Sequence, residues 1–75
     1  MAKVLLFGQI AEIIGTRELY LEAGDTQSLT AALCEQYPAL HKAVFALAVN
    51  KVTIHSNTPL AENDEVALLP PYSGG

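Results

Sequence analysis

Positive charge is scarce in this sequence of 75 residues. Four lysine and arginine residues stand against eight aspartate and glutamate residues, which gives a formal net charge of −4. The basic residues are scattered as Lys3, Arg17, Lys42 and Lys51. Because a nucleic-acid-binding surface needs a basic stripe to neutralise phosphates, we expect no nucleic acid as a partner. The acidic surface either serves solubility or steers the protein toward a basic partner.

Cysteine and long apolar runs are also nearly absent. The single cysteine, Cys34, cannot form an internal disulfide, so the sequence implies no oxidising compartment. No apolar run approaches the roughly 20 residues that span a bilayer, and no charged segment followed by an apolar run opens the chain as a signal peptide would. These absences predict a cytoplasmic protein with no membrane partner.

The chain has instead a high apolar content for its length, with 51% hydrophobic and 16% charged residues. A chain this short lies near the lower limit for independent folding, and the apolar content offsets that limit. We therefore expect one domain over residues 1–75, with a flexible tail at 70–75.

The spacing of apolar residues predicts an α+β fold. Alternation indicates strands at 3–7, 17–22, 46–49, 52–54 and 65–69, and helical periodicity indicates a short helix at 9–14 and a main helix ending near Tyr37. Asp25, Thr26 or Ser28 caps the main helix, Pro38 ends it, and 40–45 holds another helical turn. The expected assembly is a mixed sheet packed on one main helix, with the first and last strands adjacent and parallel.

The first and last strands carry apolar residues on both faces. Successive side chains of a strand point to opposite faces, and strands that are apolar on both belong to sheets covered on both sides. One main helix covers only one side. The uncovered set is either Val4 and Leu6 with Val66 and Leu68, or Leu5 and Phe7 with Ala67 and Leu69. That set forms a protein interface, unless Ile10, Ile13, Ile14 and the loop around Leu60 cover it.

The C-terminal residues Pro70, Pro71, Tyr72, Ser73, Gly74 and Gly75 form a distinct tail. Two prolines in a row stop the strand ladder and favour extended geometry, which gives the tail a reach of roughly 19 Å. Terminal glycines can enter a narrow channel. The α-carboxylate of Gly75 is ionised at neutral pH and must be activated, as an acyl-adenylate, before it can carry a group. The alternative is a frayed terminus without a role.

Two segments, 4–16 and 59–75, resemble the small subunit of molybdopterin synthase, most specifically in the ending Asp-Glu-Val-Ala-Leu-Leu-Pro-Pro-Tyr-Ser-Gly-Gly. This resemblance implies a ubiquitin-like β-grasp fold. It implies that an E1-like adenylating enzyme uses ATP to activate Gly75, which becomes a thiocarboxylate. The small subunit would then donate sulfur to cyclic pyranopterin monophosphate in the active site of the large subunit, within a heterotetramer of two small and two large subunits.

The resemblance also implies the site residues. Gly74 and Gly75 carry the chemistry, and the partner contacts are Phe7, Leu60, Leu69, Pro70, Pro71, Tyr72 and Ser73. The chain itself would bind no cofactor and no metal and would have no active site. Ala11 departs from the arginine that relatives often have. A sulfur carrier of another pathway, such as thiazole synthesis, and a ubiquitin-like protein modifier stay open, as does an interaction domain with an inert tail.

Other reactive side chains indicate no catalytic site. Cys34 lies within the helical pattern and is expected in the core, and His41 and His55 lack metal-ligand spacing. Asp64 and Glu65 are neighbours at a strand start and point apart, so they form no general acid/base pair.

Overall fold

The secondary-structure elements follow the predicted order. The structure, a computed structural model, describes residues 1–70. Its elements are β1 (Ala2–Leu6), α1 (Gly8–Ile14), β2 (Glu18–Leu21), α2 (Thr26–Gln36), a 3-10 helix (Pro38–Lys42), β3 (Ala46–Val49), β4 (Val52–Ile54) and β5 (Glu65–Leu69). The expected helical turn after Pro38 is present as the 3-10 helix, but it begins two residues earlier than predicted.

The strands form one mixed sheet in the order β2-β1-β5-β3-β4. At its centre β1 and β5 are parallel, with Val4 opposite Val66 and Leu6 opposite Leu68. The other neighbours are antiparallel. The predicted adjacency of the first and last strands is therefore confirmed, and this mixed sheet packed on helices is the β-grasp arrangement.

Both α-helices pack on the same face of the sheet. The side chains of Val4, Leu6, Val66 and Leu68 are at most 2% exposed and form one core cluster with helix residues Ile10, Ile14, Leu29 and Leu33. The covered set is therefore the Val4 and Leu6 set. Ile10, Ile14 and Leu60 pack against this core, and Ile13 is exposed, so the alternative in which these residues cover the other face is wrong.

Local signals in the sequence account for the ends of the helices. The backbone N–H of Ser28 donates to Asp25 Oδ1 at 2.8 Å, so Asp25 is the N-cap of α2. Gly15, at φ 92°, ends α1 in the left-handed region, and its N–H donates to the Ala11 carbonyl oxygen at 2.8 Å. No helix within residues 1–70 is long and apolar enough to cross a membrane.

The hairpin between β3 and β4 turns at Asn50 and Lys51. Both residues have positive φ, 50° and 73°, the conformation of a two-residue type I′ turn. The Asn50 side chain also fastens the hairpin to β5, because its Oδ1 accepts from the Glu65 N–H at 3.0 Å and its Nδ2 donates to Asp64 Oδ1 at 3.1 Å. Lys51 adopts the left-handed conformation without such a contact within the described residues, and this conformation is unfavourable for lysine.

Candidate functional site

The sheet face opposite the helices carries a patch of apolar residues that α1 and α2 leave partly exposed. We call Leu5, Phe7, Ala67 and Leu69 the outer patch. Leu5 lies opposite Ala67 in the parallel ladder, and Leu5, Ala67 and Leu69 are half-buried. Phe7 follows β1 in extended conformation and its side chain is 44% exposed. Of the two sets that the sequence left open, this is the one available to a partner.

Polar residues border the outer patch on the β2 side. Lys3 Nζ lies 3.9 Å from Glu18 Oε1, and the Tyr20 hydroxyl donates to Glu18 Oε2 at 3.0 Å. All three side chains are partly or largely exposed. An apolar centre with a polar, solvated rim is the usual composition of a protein interface.

The outer patch lies at the end of the sheet from which the tail departs. Because β1 and β5 are parallel, Phe7 and Leu69 mark the same end, and the Phe7 N–H donates to the Leu68 carbonyl oxygen at 3.3 Å. Pro70, the first tail residue, is exposed there. The predicted tail contacts Pro71, Tyr72 and Ser73, and the reactive Gly74 and Gly75, lie outside the described residues, so their roles stay predictions.

Leu60, also predicted to contact the partner, lies at the opposite end of the sheet. Its side chain is half-buried against the core, and its N–H donates to the Gly24 carbonyl oxygen at 2.9 Å. It faces a cleft shared with Met1 and Ala2, at the start of β1. The structure therefore does not bring Leu60 together with Phe7 and Leu69, and its contact role stays a prediction.

A second concave surface was not foreseen from the sequence. An open groove of about 1020 Å³ runs between α2 and the β3–β4 hairpin, and its walls include Cys34, His41 and His55. Cys34 is half-buried and both histidines are exposed. Within residues 1–70, no group of three or more His, Cys, Asp or Glu residues is placed to hold a metal ion.

Within residues 1–70, the carboxylates of Asp25 and Asp64 have lowered pKa values, and both hold local structure in place. Hydrogen bonds from Ser28 and Asn57 hold the pKa of Asp25 below its ordinary value. Those from the Ala61 N–H and the Asn50 side chain lower the pKa of Asp64. Each carboxylate accepts hydrogen bonds that stabilise a turn or a helix start.

Comparison with known proteins gives the family of this chain. Residues 4–75 match the model of the ThiS family. The chain belongs to the ThiS family. It is 39% identical over 80 residues to the molybdopterin synthase sulfur carrier subunit of Chlamydomonas reinhardtii, with 97% of this chain and 96% of that protein covered. The resemblance to the small subunit of molybdopterin synthase is thereby confirmed.

Solved structures confirm the ubiquitin-like β-grasp fold of this ThiS-family chain. The solution structure of the small archaeal modifier protein 1 from Methanosarcina acetivorans superposes with a TM-score of 0.87 at 30% identity, covering 99% of this chain and 95% of that one. The complex of subunits 1 and 2 of molybdopterin-converting factor from Helicobacter pylori superposes with a TM-score of 0.74 at 32% identity, covering 99% and 97%.

Proposed function

We propose that this protein is the sulfur carrier subunit of a molybdopterin synthase. The observation that carries the proposal is the position of the outer patch, which lies at the sheet end where the Gly-Gly tail begins. A partner that binds Phe7 and Leu69 is placed to receive the tail. The sulfur carrier subunit of Chlamydomonas reinhardtii, similar over nearly its whole length, supports the same function.

In the proposed reaction Gly75 is activated and then charged with sulfur. Its carboxylate oxygen attacks the α-phosphorus of ATP, pyrophosphate leaves, and an acyl-adenylate forms. Hydrosulfide then attacks the acyl carbon, AMP leaves, and loss of the hydrosulfide proton gives a C-terminal thiocarboxylate. The ATP belongs to an E1-like adenylating enzyme, because the described residues of this chain form no phosphate-binding loop.

The charged carrier then docks on the large subunit of the synthase. The Helicobacter pylori complex, which contains two subunits of a converting factor, supports a protein partner of this kind. Two carriers supply the two dithiolene sulfurs to cyclic pyranopterin monophosphate, consistent with two small and two large subunits in one assembly. When the carrier's sulfur has bonded to the pterin, a thioester joins Gly75 to the product, and its hydrolysis leaves the sulfur on the product and restores the Gly75 carboxylate for another cycle.

Intact mass measurement tests this chemistry. The full chain is incubated with ATP, sodium sulfide and the adenylating enzyme of its host. We expect a gain equal to the mass difference between sulfur and oxygen, confined to the C-terminal peptide and dependent on ATP. The variant lacking Gly75 should fold and bind the large subunit but gain no sulfur. A wild-type chain that stays uncharged, beside another carrier that the same enzyme charges, would refute the proposal.

A protein modifier is the second candidate, because a small archaeal modifier protein superposes on nearly the whole chain. The chemistry is shared up to the adenylate, and a lysine amine then attacks in place of hydrosulfide. Peptide mapping of cell extracts after expression of the wild-type chain separates the two. Lysine residues joined by an amide bond to residues 52–75 of this chain, which is the fragment that trypsin leaves because Lys51 is the last lysine or arginine, support modification. A thiocarboxylate that converts cyclic pyranopterin monophosphate with the large subunit supports sulfur transfer into molybdopterin rather than into thiazole.

A further inference from the structure

Gly8 lies against the base of the tail. It follows Phe7, opens α1, and has a φ of 58°, in the left-handed region. A Cβ atom added at Gly8 would lie 3.1 Å from Cγ of Pro70. That separation is shorter than ordinary van der Waals contact between carbon atoms, so the Pro70 ring occupies the space that a side chain at position 8 would fill.

The proline ring cannot yield as a flexible side chain would. Its Cγ belongs to a ring that includes the backbone nitrogen, so the atom moves only if the backbone of Pro70 moves or the ring repuckers. Just before Pro70, the chain is held by the β5 ladder, in which Leu69 lies opposite Ala46. A side chain at position 8 would therefore displace the Pro70 ring, either by repuckering it or by shifting the backbone at the first residue after the strand.

We propose that Gly8 is a positioning residue, whose missing side chain sets the direction in which the tail leaves the sheet. This inference rests on the proposed function, in which Gly75 must reach the reacting atoms of a partner that holds the outer patch. Small displacements of a reacting group from its productive geometry lower reaction rates steeply. The direction at Pro70 therefore controls the rate of charging rather than the affinity of docking.

The test compares Gly8→Val with Gly15→Val in the full chain. Gly15 also has positive φ, 92°, but apart from Gly15 and its chain neighbours Ile14 and Thr16, no atom of residues 1–70 lies within 4 Å of the position of an added Cβ. Both variants carry the backbone strain of a branched residue at positive φ, and only Gly8→Val meets Pro70. The fall in Tm on thermal unfolding measures how much this backbone strain destabilises each variant. Adenylation is followed as pyrophosphate release by the host's adenylating enzyme, with KM and kcat determined separately.

We expect Gly8→Val to lower kcat about tenfold or more, with KM unchanged within about twofold. Gly15→Val should leave both constants near wild type. In a Pro70→Ala background, which removes the ring, Gly8→Val should lower kcat by less than about twofold further, as expected when two residues act through one contact. The inference would be overturned if Gly8→Val and Gly15→Val had equal kcat, or if Gly8→Val raised KM alone. It would also be overturned if the effects of Gly8→Val and Pro70→Ala on kcat were fully additive. A wild-type chain that is not adenylated at all would overturn the proposed function as well.

Discussion

Leu68 and Leu69 are neighbours in β5 that face opposite sides of the sheet. Leu68 is 0% exposed in the core, opposite Leu6, whereas Leu69 is half-buried in the outer patch. The same substitution at the two positions should therefore have different consequences. Leu68→Ala should destabilise the fold, and Leu69→Ala should weaken binding of the large subunit.

The expected magnitudes follow from burial. Truncating a fully buried leucine costs about 3–5 kcal/mol, against a total stability of about 4–11 kcal/mol for a domain of this length. Leu68→Ala should lower Tm by about 12 °C or more. Leu69→Ala truncates a side chain that is already partly exposed, so it should cost about 1–2 kcal/mol. If the outer patch is the interface, Leu69→Ala should weaken binding about tenfold, as truncation of an apolar contact does.

Two measurements on each variant test this prediction. Thermal unfolding followed by circular dichroism gives Tm, and calorimetric titration with the large subunit gives Kd at a temperature at which both variants are folded. A Tm loss for Leu69→Ala as large as that for Leu68→Ala would refute the assignment of the two faces. Wild-type affinity in Leu69→Ala would refute the outer patch as the docking surface.

Three further predictions follow from other contacts. Lys51→Gly should raise the stability by about 1 kcal/mol, because it relieves the left-handed conformation at φ 73°; an unchanged or lower midpoint in urea would contradict this. Hydrogen bonds from Ser28 and Asn57 lower the pKa of Asp25 in the folded state. The ionised carboxylate therefore stabilises the fold at pH values above its pKa in the unfolded chain, about 3.9, and this stability is lost as the pH falls through the lower pKa of the folded state. Asp25→Asn should therefore lose less stability than wild type between about pH 5 and pH 2, and equal slopes of the urea midpoint against pH would show that this carboxylate does not contribute. Phe7→Asp should lower Tm by less than Leu68→Ala does, because Phe7 is 44% exposed, yet abolish detectable binding of the large subunit. Wild-type affinity would place the interface elsewhere.

The element boundaries were largely predictable because local signals specify them. Gly15 ends α1, Pro38 follows the end of α2, and Asn50 with Lys51 forms the hairpin turn. Each signal acts through the φ angle or the hydrogen bonds of its own residue and its near neighbours. Such effects need no knowledge of distant parts of the chain.

The buried stripe of α2 was predicted less well. The i, i+3, i+4, i+7 spacing of the sequence predicts that one face of the helix, formed by Leu29, Ala32, Leu33, Gln36 and Tyr37, is buried, but Ala32 and Gln36 are exposed. Thr26, considered only as a cap, is instead 2% exposed. Its hydroxyl accepts from the Thr58 N–H at 3.0 Å and donates to Asn57 Oδ1 at 3.3 Å. These partners lie more than 30 residues away in the chain, so no local pattern could reveal that a threonine is satisfied in the core.

The sequence was sufficient to locate the strands and helices. The proposed tail chemistry rests on the sequence alone, because the Gly-Gly ending lies outside the described residues. Which side of β1 and β5 packs on the helices is known only from the tertiary structure. Both sides of these strands are apolar, so the alternation of side chains does not indicate which one is buried. The tertiary structure also shows that Phe7 and Leu69 lie at the same end of the sheet, that Leu60 lies at the other end, and that Gly8 packs against Pro70. The residues in each of these comparisons are distant in the chain. Their distances in space depend on the parallel pairing of the first and last strands, which places the ends of β1 and β5 together.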